Sequence, residues 1–174
     1  MTIRLDQGSH QPGEYETRLY DGPTRRHQQL IPATGEGRIG DCYRTCIACL
    51  VGADSPDEVP HFVEQRKDTG DDPWEDIRLA RTWLRDHHGA DLIHLSHRRA
   101  VELAVPYLAT VQSKSGPWPH VLIGRRGYVE HDPSGLWFGR VVPLDDVNDV
   151  VEVLCLPYAP DPDELIRRWV EEAA

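Results

Sequence analysis

The sequence predicts an α+β fold, with N-terminal helices packed on a C-terminal antiparallel sheet. Three observations lead there. Capped segments with helical spacing of apolar residues fall in the first ninety positions, apart from one at the C-terminal end. From Asp91 onward the pattern changes to short alternating or apolar runs. Finally, Arg125-Arg126-Gly127 separates two of those runs by a tight turn.

Taken in order, residues 1–27 are rich in Gly, Pro, Arg and Gln with little periodicity, and are expected to form an irregular N-terminal arm. Residues 28–174 form the folded domain, with strand character first appearing around Gln28 to Ile31. Cys42 to Val51 is bracketed by Gly40 and Gly52, with Asp41 in the N-cap position. Cys42, Cys46, Cys49 and Leu50 fall on one stripe of this helix, at i, i+4, i+7 and i+8. A second helix is expected from Ser55, with Pro56 in its first turn and Glu58 completing a capping box. The third has Asp72 as cap, Pro73 as start and Gly89 as stop, and Trp74, Ile77, Ala80, Trp83 and Leu84 make its apolar face.

Asp91 to Leu95, Tyr107 to Gln112, His120 to Gly124, Tyr128 to His131 and Val150 to Leu156 read as strands. His120 and His131 therefore lie on one hairpin. A last helix, capped near Asp161 or Asp163, carries Leu165, Ile166, Trp169 and Val170.

The chain has 174 residues, enough for one domain; a chain of about 150 residues buries close to 70% of its unfolded surface. Hydrophobic residues at 39% and charged residues at 28% exclude an intrinsically disordered chain. With 29 acidic and 19 basic residues the formal charge is −10, the wrong sign for displacing phosphate counterions, so no nucleic-acid partner is expected. The Arg25-Arg26, Arg98-Arg99 and Arg125-Arg126 pairs are read as solvated surface. No apolar run approaches the ~18 residues of a membrane span, and Met1 to Tyr20 lacks the apolar core of a signal peptide. The expected setting is a reducing cytoplasm with no membrane partner, where Cys42, Cys46, Cys49 and Cys155 are thiols.

The chemistry concentrates at Cys42. A helix N-terminus offers unpaired amides and the positive end of the dipole, which favour a thiolate. The Cys42 amide would face a developing oxyanion. A thiolate nucleophile needs a base, and the base an orienting group. His120 opens one strand after Gly116-Pro117-Trp118-Pro119, and Asp132 follows its partner strand. A hairpin turning near Gly127 brings the two side by side. His131 is the rival base, but adjacent strand residues face opposite sides, so it cannot share a site with Asp132. Cys46 and Cys49 are expected to face the core, as is Cys155. Trp74, Trp83 and Trp169 are also read as core, while Trp118 and Trp137 sit in loops where they would line a substrate groove or simply pack on the surface.

Gly40-Asp41-Cys42-Tyr43 resembles the Gly-x-Cys-aromatic stretch of the papain-like cysteine peptidase superfamily. His120-Val121-Leu122-Ile123 and Asp132-Pro133-Ser134-Gly135 are similar to the double-glycine leader peptidases that process bacteriocins. The same patterns resemble small uncharacterised proteins of actinobacteria and their phages. The likeness spans roughly residues 28–136. It implies a papain-like fold and a thiol protease using Cys42, His120 and Asp132 as a catalytic triad on a peptide or protein substrate, with no cofactor. It also implies a Gln upstream of the cysteine as oxyanion donor; Gln29 is preferred over Gln28, although the gap to Cys42 is wider than the family's.

Two alternatives belong to other classes. One is a catalytically idle papain-like fold that binds proteins through its acidic surface or N-terminal arm. The other uses Cys42-x3-Cys46-x2-Cys49, which has the spacing of a radical-SAM iron–sulfur motif, or joins those thiols with His61 or His87 to hold zinc. Against it, the spacing sits inside a capped helix and no Gly-rich cofactor segment follows.

Overall fold

The computed structural model describes residues 2–3, 17–32, 40–69, 74–137, 139–144 and 149–156. Over these residues the fold is mixed: four helices and an antiparallel sheet. The first helix, α1 (Cys42–Val51), ends at Gly52, whose φ of 75° is the left-handed cap that glycine accepts without strain. Its buried surface is wider than one stripe: Tyr43, Thr45, Cys46, Ile47, Ala48, Cys49 and Leu50 are all buried. The reason is a segment of the N-terminal region, residues 23–32, that runs along the helix. Arg25 donates its amide to Cys49 O at 3.0 Å, and the His27 ring meets Ala53 O at 2.9 Å. Gln28 to Ile31 is thus not the expected strand; its amides serve other partners.

The helix expected from Ser55 is a single 3-10 turn, Pro56–Glu58, in which Ser55 Oγ accepts from the Asp57 amide at 3.2 Å. Glu58 does not complete a helical capping box, because no further turn follows. Instead, α2 (Phe62–Thr69) starts after Pro60, a helix the apolar spacing does not announce. Phe62 sets its edge against Tyr43 and Trp83. In α3 (Glu75–His88), Gly89 supplies the left-handed stop, while Asp72 and Pro73 lie outside the described residues. Ala80 and Leu84 of this helix are buried, but Trp74 is 63% exposed, correcting its assignment to the core. It precedes the first helical residue, so the helical stripe does not extend to it.

Two strands of the N-terminal arm, β1 (Thr2–Ile3) and β2 (Thr17–Leu19), pair with each other and correct the expectation that this arm is wholly irregular. The remaining strands are β3 (Asp91–Ser96), β4 (Tyr107–Gln112), β5 (Pro119–Arg125), β6 (Tyr128–His131) and β7 (Val150–Leu156). Between β3 and β4 lies a further helix, α4 (His97–Leu103), capped by Ser96 Oγ on the Arg99 amide. Strand β7 is central. Along one side β3 pairs with it; on the other are β4, with Leu108 opposite Glu152, and β2, with Leu19 opposite Cys155. The order β3-β7-β4-β5-β6 results, antiparallel throughout. The helix expected beyond Asp161, Trp169 included, lies outside the described residues.

Alternation along the strands divides the core in two. Leu92, Leu108, Ile123 and Leu154 meet α1, α2 and α3 on one face. Tyr107, Ala109, Val111, Leu122, Val151 and Val153 pack with α4 residues Ala100 and Leu103 on the other. The β5–β6 turn has φ of 54° at Arg126 and 83° at Gly127, as a two-residue hairpin turn requires. The hairpin is irregular at one point. Gly124 pairs with Val129, but Ile123 pairs with His131, so Glu130 is an extra residue on β6.

Candidate active site

Cys42 is the first residue of α1 and is partly accessible, whereas Cys46, Cys49 and Cys155 are buried, as expected of core thiols. Its sulfur accepts the Val121 amide at 3.4 Å and lies beside the His120 imidazole, close enough to raise its pKa. His120 Nε2 lies 2.6 Å from Asp132 Oδ1, with both side chains buried. Because Nε2 is committed to the carboxylate, Nδ1 is the nitrogen left for the thiol. Cys42, His120 and Asp132 therefore meet, in that order of contact.

The bulge at Glu130 explains the meeting of the last two. In a regular hairpin turning at Arg126-Gly127, Asp132 would fall opposite Val121 and face away from His120. The extra residue moves the register by one, so that His131 lies opposite Ile123 and, continued, Asp132 lies opposite Leu122. Leu122 shares a face with His120, and a one-residue shift exchanges faces. His131 correspondingly turns to the other side, where Nε2 meets His27 O at 2.8 Å. That removes it as a rival base.

Asp132 is both turn former and imidazole partner. Its carboxylate accepts the Ser134 amide and hydroxyl, both at 2.9 Å on Oδ1, and the Trp137 amide at 2.8 Å on Oδ2. Burial opposes its charge, but bonds from His120, Ser134 and Trp137 prevail and hold the carboxyl well below the usual carboxylate range. Burial likewise works against the His120 imidazolium, yet the bond to Asp132 and the adjoining Cys42 sulfur outweigh it and raise the imidazole to about 9. The resulting electrostatics favour a charged imidazole between a carboxylate and a sulfur.

Asp41 sits at the N-cap position, but its side chain does not cap the helix. The buried carboxylate instead accepts the Leu30 amide at 3.2 Å and the Ile31 amide at 3.0 Å, and pairs with Arg44 at 3.1 Å. Backbone competition of this kind is usual for Asp. Gln29, preferred as oxyanion donor, gives its amide to Pro133 O at 3.2 Å, so its backbone bridges to the Asp132 turn; Gln28 is exposed. The residues 29–31 are thereby tied both to the turn after β6 and to the residue before Cys42.

Trp118 lies in the loop leading into β5, folded over Gly116, where any Cβ would come within 2.0 Å of the indole. Trp137 packs against the second core cluster, with Lys114 Nζ 3.8 Å from its ring centroid. Lys114 also donates to Leu136 O at 3.2 Å. The loop carrying His120 and the loop carrying Asp132 are joined through these contacts. Neither Lys114 nor the bulge at Glu130 leaves a signal in the sequence; the Asp-x-Ser spacing that marks an Asx turn is the readable cue for Ser134.

The three α1 cysteines do not form a metal-binding set. Cys46 and Cys49 are buried, bonding Val121 O and the His27 amide, both at 3.4 Å. His61 Nδ1 takes the Glu64 amide and His87 Nδ1 meets Trp83 O. Among the described residues, no three His, Cys, Asp or Glu side chains are grouped so as to hold a metal ion. Nor, among them, is any helix long and apolar enough to cross a membrane.

The chain matches no protein-family model, no curated protein and no solved structure. What the protein does is therefore argued from the site itself.

Proposed function

We propose that this protein is a cysteine-nucleophile hydrolase of papain-like architecture, cleaving a peptide or isopeptide bond through a thioester. The observation that carries it is the buried 2.6 Å contact between His120 Nε2 and Asp132 on the imidazole that also lies beside the Cys42 thiol. Nucleophile, base and orienting group stand in sequence, which is the arrangement covalent acyl chemistry needs. The α1 start supplies an amide without an intrahelical acceptor for the oxyanion, and the Val121 amide on Cys42 Sγ favours the thiolate.

In this reading the Cys42 thiolate attacks the carbonyl carbon, and the oxyanion is received by the Cys42 amide and the Gln29 side chain. His120 passes its proton to the leaving amine as the carbon–nitrogen bond breaks, leaving a thioester. It then takes a proton from water, whose oxygen displaces the thiolate and frees the acid. Asp132 keeps the imidazole aligned throughout. Deamidation or acyl transfer uses the same parts with another leaving group or acceptor. The likeness to double-glycine leader peptidases is carried by the Gly40-to-Tyr43, His120-to-Ile123 and Asp132-to-Gly135 segments, and makes a peptide or protein the first substrate to test. Trp118 and Trp137 flank the loops that carry His120 and Asp132.

The test is site-resolved alkylation by iodoacetamide at about pH 6, where an ordinary thiol is almost wholly protonated, beside turnover of a fluorogenic peptide panel. Cys42 should react fast, and His120→Ala should slow it; Cys42→Ala should abolish turnover. If His120→Ala leaves the Cys42 rate unchanged and no peptide is cut, the enzyme assignment fails and a binding module remains.

A further inference from the structure

The spacing Cys42-x3-Cys46-x2-Cys49 is left unexplained by the triad, which uses only its first member. In the structure each sulfur meets the backbone of a neighbouring segment. Cys42 accepts the Val121 amide, Cys46 donates to Val121 O, and Cys49 accepts the His27 amide, all at 3.4 Å. Two sulfurs one helical turn apart therefore hold the two polar backbone atoms of a single residue on β5, the residue next to His120.

We propose that Cys46 is a positioning residue for the Cys42–His120 pair, docking β5 on α1 at Val121 so that the imidazole is held at the nucleophile. A single contact at Cys42 would let the strand rock about that point; a second, one turn further along, fixes its direction. Cys46 is fully buried, which gives it no route to a substrate. Burial above all, then the neighbouring Cys49, Cys42, Asp132 and Glu152, push its thiol well above the ordinary range, so it stays a protonated donor. The S–H···O bond is weak in itself; its importance lies in placement, because catalytic geometry is sensitive to small displacements. This inference rests on the hydrolase reading for its meaning, but not for its measurement.

The experiment compares Cys46→Ala, Cys46→Ser and Cys46→Val by Cys42 alkylation rate across pH, with thermal unfolding alongside. Serine keeps a donor, and valine fills space without one. Cys46→Ala and Cys46→Val should each slow Cys42 alkylation roughly tenfold, within the ~100-fold that a 1 Å misplacement can cost, and should move the basic limb of the profile below that of the parent. Cys46→Ser should stay within about twofold of the parent by the same measure. An unchanged rate and profile in Cys46→Ala, with only a lower unfolding temperature, overturns the proposal in favour of plain packing. So does a Cys46→Ser as slow as Cys46→Ala. Failure of the enzyme reading shows separately, as an unchanged rate in His120→Ala on the parent background.

Discussion

His120 Nε2 stands 2.6 Å from Asp132 Oδ1, with the imidazole side chain 7% exposed and the carboxylate fully buried. An imidazole so held has one tautomer when neutral, with the proton on Nε2, and one orientation. Replacing Asp132 by Asn keeps the volume but removes the charge and presents a donor or acceptor of either sense. For an enzyme, Asp132→Asn should lower kcat on the order of 100-fold or more, with a smaller change in KM, since orienting groups act in the transition state. Steady-state kinetics on any peptide that the parent cleaves checks it; an Asp132→Asn enzyme of near-parental kcat contradicts the orienting role.

The pH dependence of His120 is set by its direction of shift. Its folded-state pKa, raised to about 9 by Asp132 and Cys42 against the pull of burial, lies above the ordinary 6.5. The folded state thus binds the proton more tightly than the unfolded chain does. Its contribution to stability is complete below about 6.5 and is lost as pH rises through about 9. Alkylation of Cys42 should lose its His120 assistance over the same basic limb. Unfolding free energies measured from pH 6 to 10 should fall for the parent and fall less for His120→Ala. Parallel curves would show that the imidazole carries no such shift.

A half-buried acid lies behind the nucleophile. Tyr43, the residue after Cys42, donates its hydroxyl to Glu152 Oε2 at 2.7 Å. Burial pushes Glu152 up to about 7 despite that bond, with the charge of Asp76 adding to the rise. Here too the folded state holds the proton more tightly, so the stabilisation is whole below about pH 4.5 and declines toward about 7. Glu152→Gln mimics the protonated form and should be flat over that interval, and more stable than the parent at pH 8, each pK unit being about 1.4 kcal/mol. Denaturant titrations at pH 5 and pH 8 decide; equal losses in both proteins would place the titration elsewhere.

Much of this architecture was legible because local rules and packing agree. Tyr107 to Gln112, Tyr128 to His131 and Val150 to Leu156 are strands within the bounds read from alternation. Gly52 and Gly89 stop helices where left-handed caps were expected. Cys42, His120 and Asp132 were legible from residue chemistry plus the hairpin turn. Illegible were features set by non-local partners. Asp41 has cap-like sequence context, but the Leu30 and Ile31 amides compete for its carboxylate. Trp74 has helical spacing, yet lies before the helix and stays exposed. Among the described residues the arm strands pair with each other and with the end of β7, a partner more than a hundred residues away.

Asp41 itself carries a prediction. Its carboxylate, 0% exposed, secures two backbone amides and one guanidinium. Asp41→Ala strips the Leu30 and Ile31 amides of their acceptors and leaves Arg44 paired with Asp57. Loss of buried, charge-assisted bonds should cost about 2–4 kcal/mol. Hydrogen exchange should localise the loosening to residues 29–31. Uniform loss of protection across the chain, with none concentrated there, would argue that Asp41 does not tether this segment.

The bulge at Glu130 gives the sharpest test of how the site is assembled. Glu130 is the residue between the Val129–Gly124 and His131–Ile123 pairs, and its exclusion from the pairing leaves Asp132 on the side of His120. Deleting Glu130 should restore a regular hairpin, since the turn at Arg126-Gly127 is untouched. The pairs beyond the deletion are kept, His131 opposite Ile123 and Asp132 opposite Leu122, so Asp132 stays on the side of His120 and His131 keeps the His27 carbonyl. The expected result is a folded protein, by far-ultraviolet circular dichroism, whose His120 titration stays at about 9, above the ordinary ~6.5. Its Cys42 alkylation should match that of the parent and exceed that of His120→Ala. A deletion variant whose His120 titration drops to the ordinary ~6.5 would mean that the bulge itself, rather than the pairing of β6 with β5, delivers the carboxylate.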